Sequence, residues 1–308
     1  WNNLNINEFT RLWASREFGP KYATEIADIL SKYGKYNGRR KPESLTASTY
    51  SLTNYNEFET VVSDYNKIKA RAKVIYNKLP KEKRDAFYQV VLFPVKACAI
   101  VNELYLSAAK NELYARQKRF TTNAMAAKTR ELFKADTTLM SYYNHVYANG
   151  KWNHFMDQTH LGYTDWMPPR RNSLEAIKLS EIQVPDSAIL GVSLEGTDQS
   201  WPESSVEATL PEFDIFSNRQ HYIEVFNRGK KPFTYEIKSN VPWISISESK
   251  GQVDNNDKRI IISLNEAILP KGRTEGKITI TGTGKEVAVN INAFNPIETN
   301  KEKLKGFI

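Results

Sequence analysis

Gly150-Lys-Trp-Asn-His-Phe-Met-Asp-Gln-Thr-His-Leu-Gly-Tyr-Thr-Asp-Trp166 divides this sequence into two unlike halves. The stretch repeats with neither the helical nor the strand period, and it carries two tryptophans, two of the four histidines, a tyrosine and several amide and carboxylate side chains. A segment that only connected would be small and polar. One loaded with rings and hydrogen-bonding groups is placed against something, either a neighbouring domain or a polar ligand such as a sugar.

Before it, apolar residues recur at helical steps. Residues 7–18 form a short helix ending at Gly19-Pro20, and residues 21–33 a second with Gly34 as its stop. Tyr55, Phe58, Val61, Val62, Tyr65, Ile68, Ala72, Ile75 and Leu79 mark a long third helix that Pro80 ends. A fourth runs through Phe87, Val91, Val95 and Leu104, with a kink expected at Pro94, and a fifth spans residues 122–147. Short connections make such helices antiparallel neighbours, hence a five-helix bundle.

After Pro168-Pro169 the period becomes two. Ile278 and Ile280 alternate with threonines, Val287, Val289 and Ile291 with polar residues, and Gly282-Thr-Gly-Lys285 joins the two runs as a hairpin. Shorter strands are expected at 221–226, 232–238, 243–247 and 259–264. The fold class is therefore multidomain, α then β: a five-helix bundle followed by an antiparallel immunoglobulin-like β-sandwich. The expected division is a bundle over 7–170, a linker over 171–212 with an edge strand near 189–194, a sandwich over 213–296 and a tail over 297–308.

The 308 residues suffice for two domains with real cores, and 40% hydrophobic with 25% charged residues is a globular composition. The net charge of +8 is uneven: residues 1–170 carry +10 and the remainder −2. No stacking aromatics interleave the basic clusters, so nucleic acid is not an expected partner. No uninterrupted apolar run approaches the roughly 18 residues of a membrane span. The single cysteine, Cys98, excludes an internal disulfide and reads as a small buried hydrophobe. Trp1 reads as a cut point.

The candidate chemistry sits in the central stretch. His154, Asp157 and His160 are possible metal ligands, but three-residue steps on a helix drift by about 60° per step and suit a tight tetrahedral site poorly. Neither a metal nor another cofactor is expected. Trp152, Tyr163 and Trp166 are flat rings on which a pyranose could stack while Asn153, Asp157 or Gln158 bond its hydroxyls. For Trp152 the favoured reading is an anchor on the bundle. Arg40, within Arg39-Arg40-Lys41, could grip a carboxylate or join a structural ion pair. No phosphate loop or nucleophile elbow occurs, and no spacing selects a pair of carboxylates for glycoside hydrolysis.

Five separated motifs resemble one family in order: Trp13-Ala-Ser-Arg-Glu-Phe-Gly19, Arg39-Arg-Lys-Pro-Glu43, Tyr50-Ser-Leu-Thr-Asn-Tyr55, Arg84-Asp-Ala-Phe-Tyr-Gln89 and Gly150 to Tyr163. They are similar to the post-barrel region of glycoside hydrolase family 115, the xylan α-1,2-glucuronidases. The resemblance implies a parent enzyme that removes glucuronic acid or its 4-O-methyl ether from glucuronoxylan, with its acid and base carboxylates on an upstream (β/α)-barrel. Residues 1–6 would then be the tail of that barrel, this segment alone would be inactive, and loops of the bundle would approach the barrel's pocket. Trp166, Tyr163, His154, Asp157 and Arg40 are the substrate-binding candidates on this reading. After Tyr163 the sequence departs from the family's Tyr-Trp-Gln-Gln-Pro-Pro, reading Thr164-Asp-Trp-Met-Pro-Pro169. Residues 213–294 more weakly resemble the BACON-type immunoglobulin-like domains of gut Bacteroidetes, with Trp243 expected in the core. Glucuronoxylan and the barrel are the expected partners, a homodimer is entertained, and the location is periplasmic or secreted. The alternative is a stand-alone glycan-binding or scaffold protein without catalysis.

Overall fold

The computed structural model describes residues 5–163, 167–217 and 220–297. Their contacts separate into two compact units, and the division is not a single cut: residues 53–55 and 113–123 group with residues 181 onward, while 171–180 group with the helices. The expected linker thus splits between the two units.

In the helical unit, α1 (Ile6–Phe18) begins at Asn5, whose side chain accepts the Glu8 N–H, and ends at Gly19 with φ +93°. Helix α2 (Ala23–Asn37) passes straight through Gly34 and is closed at Gly38, four residues beyond the expected stop of Gly34. A helix-interior glycine costs about 1 kcal/mol, and here Tyr33 and Tyr36, on either side of it, pack against the core. In α3 (Glu57–Lys78), Phe58, Val61, Val62, Tyr65, Ile68, Ala72 and Ile75 form the buried face that the spacing predicts.

Helices α4 (Lys81–Phe87) and α5 (Phe93–Arg116) are joined without a break by a π-helical turn at Tyr88–Leu92. Pro94 lacks an N–H and its ring crowds the carbonyl four residues back, so the turn just before it widens. The expected kink is therefore realised as an extra residue per turn. Lys81–Arg116 is long and apolar enough to cross a membrane, although no continuous apolar run marks it in the sequence. Most of its apolar stretch is buried inside the protein, with Val91, Val95, Ala99 and Leu104 in the bundle core. Helix α6 (Thr122–His145) completes the five rods and gives way at Ala148, Asn149 and Gly150, all with positive φ.

The other unit contains two five-stranded sheets. One is ordered β2 (Ser200–Trp201), β1 (Leu190–Leu194), β4 (His221–Asn227), β8 (Lys258–Leu264), β6 (Ile244–Ile246). The second is ordered β3 (Phe213–Asp214), β10 (Lys285–Asn295), β9 (Gly272–Gly282), β5 (Phe233–Ser239), β7 (Lys250–Val253). All pairings are antiparallel except β3 with β10, which is parallel and corrects the purely antiparallel expectation. The β9–β10 hairpin turns on Thr283 and Gly284, both with positive φ, the backbone that a two-residue hairpin requires. Residues 190–194 are not an edge strand. They lie between β2 and β4 and are buried throughout. Trp243 is buried in the core, beside Ile244, Ile260 and Ile278.

Candidate functional site

The loop after α6 is built by Asn144. Its side chain accepts from Met156 N (2.9 Å) and donates to Asp157 Oδ1 (2.7 Å), tying two loop residues to the end of the helix. Trp152 packs on the bundle core and against Phe155 (centroids 5.5 Å apart), the anchoring role favoured for it. His154 takes a positive φ of 65°, and its Nδ1 lies 2.7 Å from Asp157 Oδ2, both side chains facing solvent. Among the described residues, this exposed pair is the one set of substrate-binding candidates that the fold brings together.

The others are placed apart. Tyr163 donates its hydroxyl to Thr159 O (3.3 Å) and lines a separate cavity with Tyr105 and Lys178. Arg40 donates from Nε to Ser44 O (3.0 Å), so its charge serves a local turn. Its neighbour Arg39 makes the structural ion pair, to Asp64 at 2.7 Å, and stacks over Tyr36. Trp166 lies outside the described residues.

His160 follows a course that the spacing did not suggest. Its Nε2 is 3.0 Å from both oxygens of Asp136, a fully buried carboxylate on α6, and its Nδ1 is 3.1 Å from Gln158 O. A carbonyl and a carboxylate can only accept, so both ring nitrogens must donate and the imidazolium is the form that this geometry holds. Burial opposes that charge, but the hydrogen bond and charge of Asp136 outweigh it and raise the His160 pKa. His160 and Leu161 are fixed further by Asn172 Oδ1, which accepts both backbone N–H groups. Asp136 stands four residues after Leu132 and seven before Tyr143, at a core-facing helical position, a signal open to sequence reading. Among the described residues, no group of three His, Cys, Asp or Glu side chains could hold a metal ion.

A pH effect follows. Because the folded pKa is raised, the stabilisation from His160 is complete below its unfolded value, about 6.5, and is lost as pH rises through the folded value. Melting temperature should therefore fall across that interval in the wild type, and Asp136→Asn should flatten the dependence. A pH-independent melting curve from pH 6 to 9 would refute the assignment.

Beneath the loop lies a cavity of about 470 Å³ lined by α2, the π turn, α5, α6 and the loop itself. Phe93, Met140 and Phe155 supply apolar wall; Glu43, Gln89, Gln158 and His160 supply polar groups. Cys98 is on its floor, 5% exposed, with burial pushing the thiol up to about 11, so it is an inert small hydrophobe.

These features describe a two-unit protein, a helical bundle with a ligand-sized cavity under a histidine- and aromatic-rich loop, and a two-sheet sandwich. Residues 1–44 match the family model Glycosyl hydrolase family 115. Among solved structures, a family GH115 4-O-methyl-α-glucuronidase with specificity for decorated arabinogalactans is similar over 94% of this chain, at 12% identity and a TM-score of 0.42. The chain spans 41% of that structure. SSP-19, an MSP-domain protein of Caenorhabditis elegans, aligns over 29% of this chain and 94% of its own, at 16% identity and a TM-score of 0.24. The E. coli chaperone DraB aligns over 39% of this chain and 61% of its own, at 12% identity and a TM-score of 0.26. No curated protein matches the sequence.

Proposed function

We propose that this chain is the C-terminal, non-catalytic portion of a glycoside hydrolase of the α-glucuronidase type, acting on glucuronoxylan in the periplasm or outside the cell. The observation that carries this reading is the ordered series of motifs from Trp13 to Tyr163, to which the family match over residues 1–44 adds. Glycoside hydrolysis uses two carboxyl groups flanking one bond. Glu43 is the one carboxylate among the described residues lining the cavity under the loop, which fits a supporting role better than a catalytic one. The catalytic pair is assigned to a barrel outside these residues.

In this role the bundle positions. A loop held by Asn144, Asn172 and the His160–Asp136 pair presents the exposed His154–Asp157 pair as a rigid rim. The +10 balance of residues 1–170 favours approach of an acidic polysaccharide and should weaken with salt. The 308-residue chain, folded by circular dichroism, should release no glucuronic acid from glucuronoxylan. A protein joining it to the barrel should do so, with Trp166→Ala lowering kcat/KM by about tenfold or more. Turnover by the chain alone would overturn the reading.

A further inference from the structure

We infer that the cavity beneath the loop is a binding site for an uncharged pyranose, distinct from any site for a uronic acid. Phe155 is 59% exposed at the rim of a cavity of about 470 Å³, a volume within the range of ligand sites. Its ring is held nearly parallel to Tyr143 (18°, centroids 6.2 Å apart), so it is a braced platform with an open face. Stacking suits the apolar C–H face of a sugar ring, whose hydroxyl rim then needs polar partners. Gln158 on the loop and Gln89 on the π turn are amides able both to donate and to accept. Glu43 makes no hydrogen bond or ion pair among the described residues, which leaves its carboxylate available as an acceptor.

Charge decides between sugars. Among the described residues no lysine or arginine lines the cavity. The positive charge of His160 is matched by Asp136 at 3.0 Å, and both ring N–H groups are already committed. The unmatched charge is therefore that of Glu43, whose field reaches both Cys98 and His160. A second carboxylate brought into this partly apolar space would be repelled, whereas a neutral ring would not. Gln89, on the π turn, and Phe93, at the start of α5, both line the cavity.

The inference shares with the proposed function only the choice of a xylan-derived probe, and it is read by binding alone. Calorimetric titration of the full chain with a xylo-oligosaccharide, neutral methyl pyranosides and methyl glucuronoside should show binding of at least one neutral ligand. The glucuronoside should bind at least about tenfold more weakly. Phe155→Ala, a change at an exposed side chain that should leave the circular dichroism spectrum intact, should weaken neutral binding by about tenfold. Glu43→Gln should narrow the gap between neutral and acidic sugars. No binding of any neutral pyranoside, equal or tighter binding of the glucuronoside, or an unaffected Phe155→Ala would each overturn it. A chain that binds a neutral sugar while the parent proves inactive on glucuronoxylan would leave this inference standing and remove the other.

Discussion

Replacing Arg119 with methionine should destabilise the sandwich unit by about 3–5 kcal/mol. Arg119 is 1% exposed, and every arm of its guanidinium is used. Nη1 donates to Glu224 Oε2 (2.8 Å) and Asp257 Oδ2 (2.7 Å), Nη2 to Ser193 Oγ (2.8 Å), and Nε to Gln117 Oε1 (2.6 Å). The plane is sandwiched by the rings of Tyr114 and Phe226, 4.1 and 4.2 Å from its central carbon. Burial works against the charge, and Glu224, Tyr114 and Asp257 more than offset it. Methionine would fill most of the volume but leave Asp257 without its cation and Glu224 dependent on Arg259 alone. The cost is that of orphaned buried carboxylates, not of lost packing. Lysine keeps a charge but not the planar fork, so Arg119→Lys should also lose stability. Urea denaturation of the full chain reads the effect, and an unchanged midpoint for Arg119→Met would sink the argument.

The same cluster sets the acid limit. Glu224 suffers a desolvation penalty, yet Arg119 and Arg259 hold its carboxyl down at about 2. Its contribution is therefore present above the ordinary carboxyl range and lost as pH falls through about 2.

Gly229→Ala is expected to cost the upper end of the roughly 1–3 kcal/mol typical of overpacking, or more. A methyl group there would stand 1.9 Å from Ser187 O and 2.8 Å from its carbonyl carbon. That backbone cannot step aside cheaply. Ser187 O accepts from Lys231 N, and the neighbouring Pro185 O accepts from Lys230 N, so moving this segment breaks two backbone hydrogen bonds. Gly284→Ala makes a useful contrast, because nothing lies within 4 Å of its added carbon and only the positive φ of 71° resists. A thermal shift for Gly229→Ala no larger than that for Gly284→Ala would show that the turn yields.

Much of this architecture is legible in order of residues. The face of α3 from Phe58 to Ile75, the alternation of Ile278, Ile280, Val287 and Val289, and the turn at Thr283-Gly284 are local patterns. Each expresses a period, 3.6 or 2, that the chain itself carries. The site was less legible. Trp152 as an anchor and a structural ion pair among the basic residues 39–41 were open to reading, and the structure shows Trp152 on the bundle core and Arg39 paired with Asp64. The core-facing position of Asp136 on its helix was open to reading; its partner, and the places of Glu43 and Phe155 at one cavity, were not, because they depend on which remote element each residue faces.

By itself, then, the sequence determined the helical rods and the longer strands, the core face of each, and the seam between helical and strand periods, but not the short strands β2, β3 and β7. Only the tertiary structure decided that His160 pairs with Asp136 rather than joining His154, that Pro94 is accommodated by a π turn, that residues 190–194 are interior, and that Arg119, in the connection between two helices, belongs to the sandwich unit. The reason is common to all four. A period is set by neighbours a turn or a pleat away, whereas a buried charge, an orphaned carbonyl or a strand edge is satisfied by whichever distant group folding brings within about 3 Å.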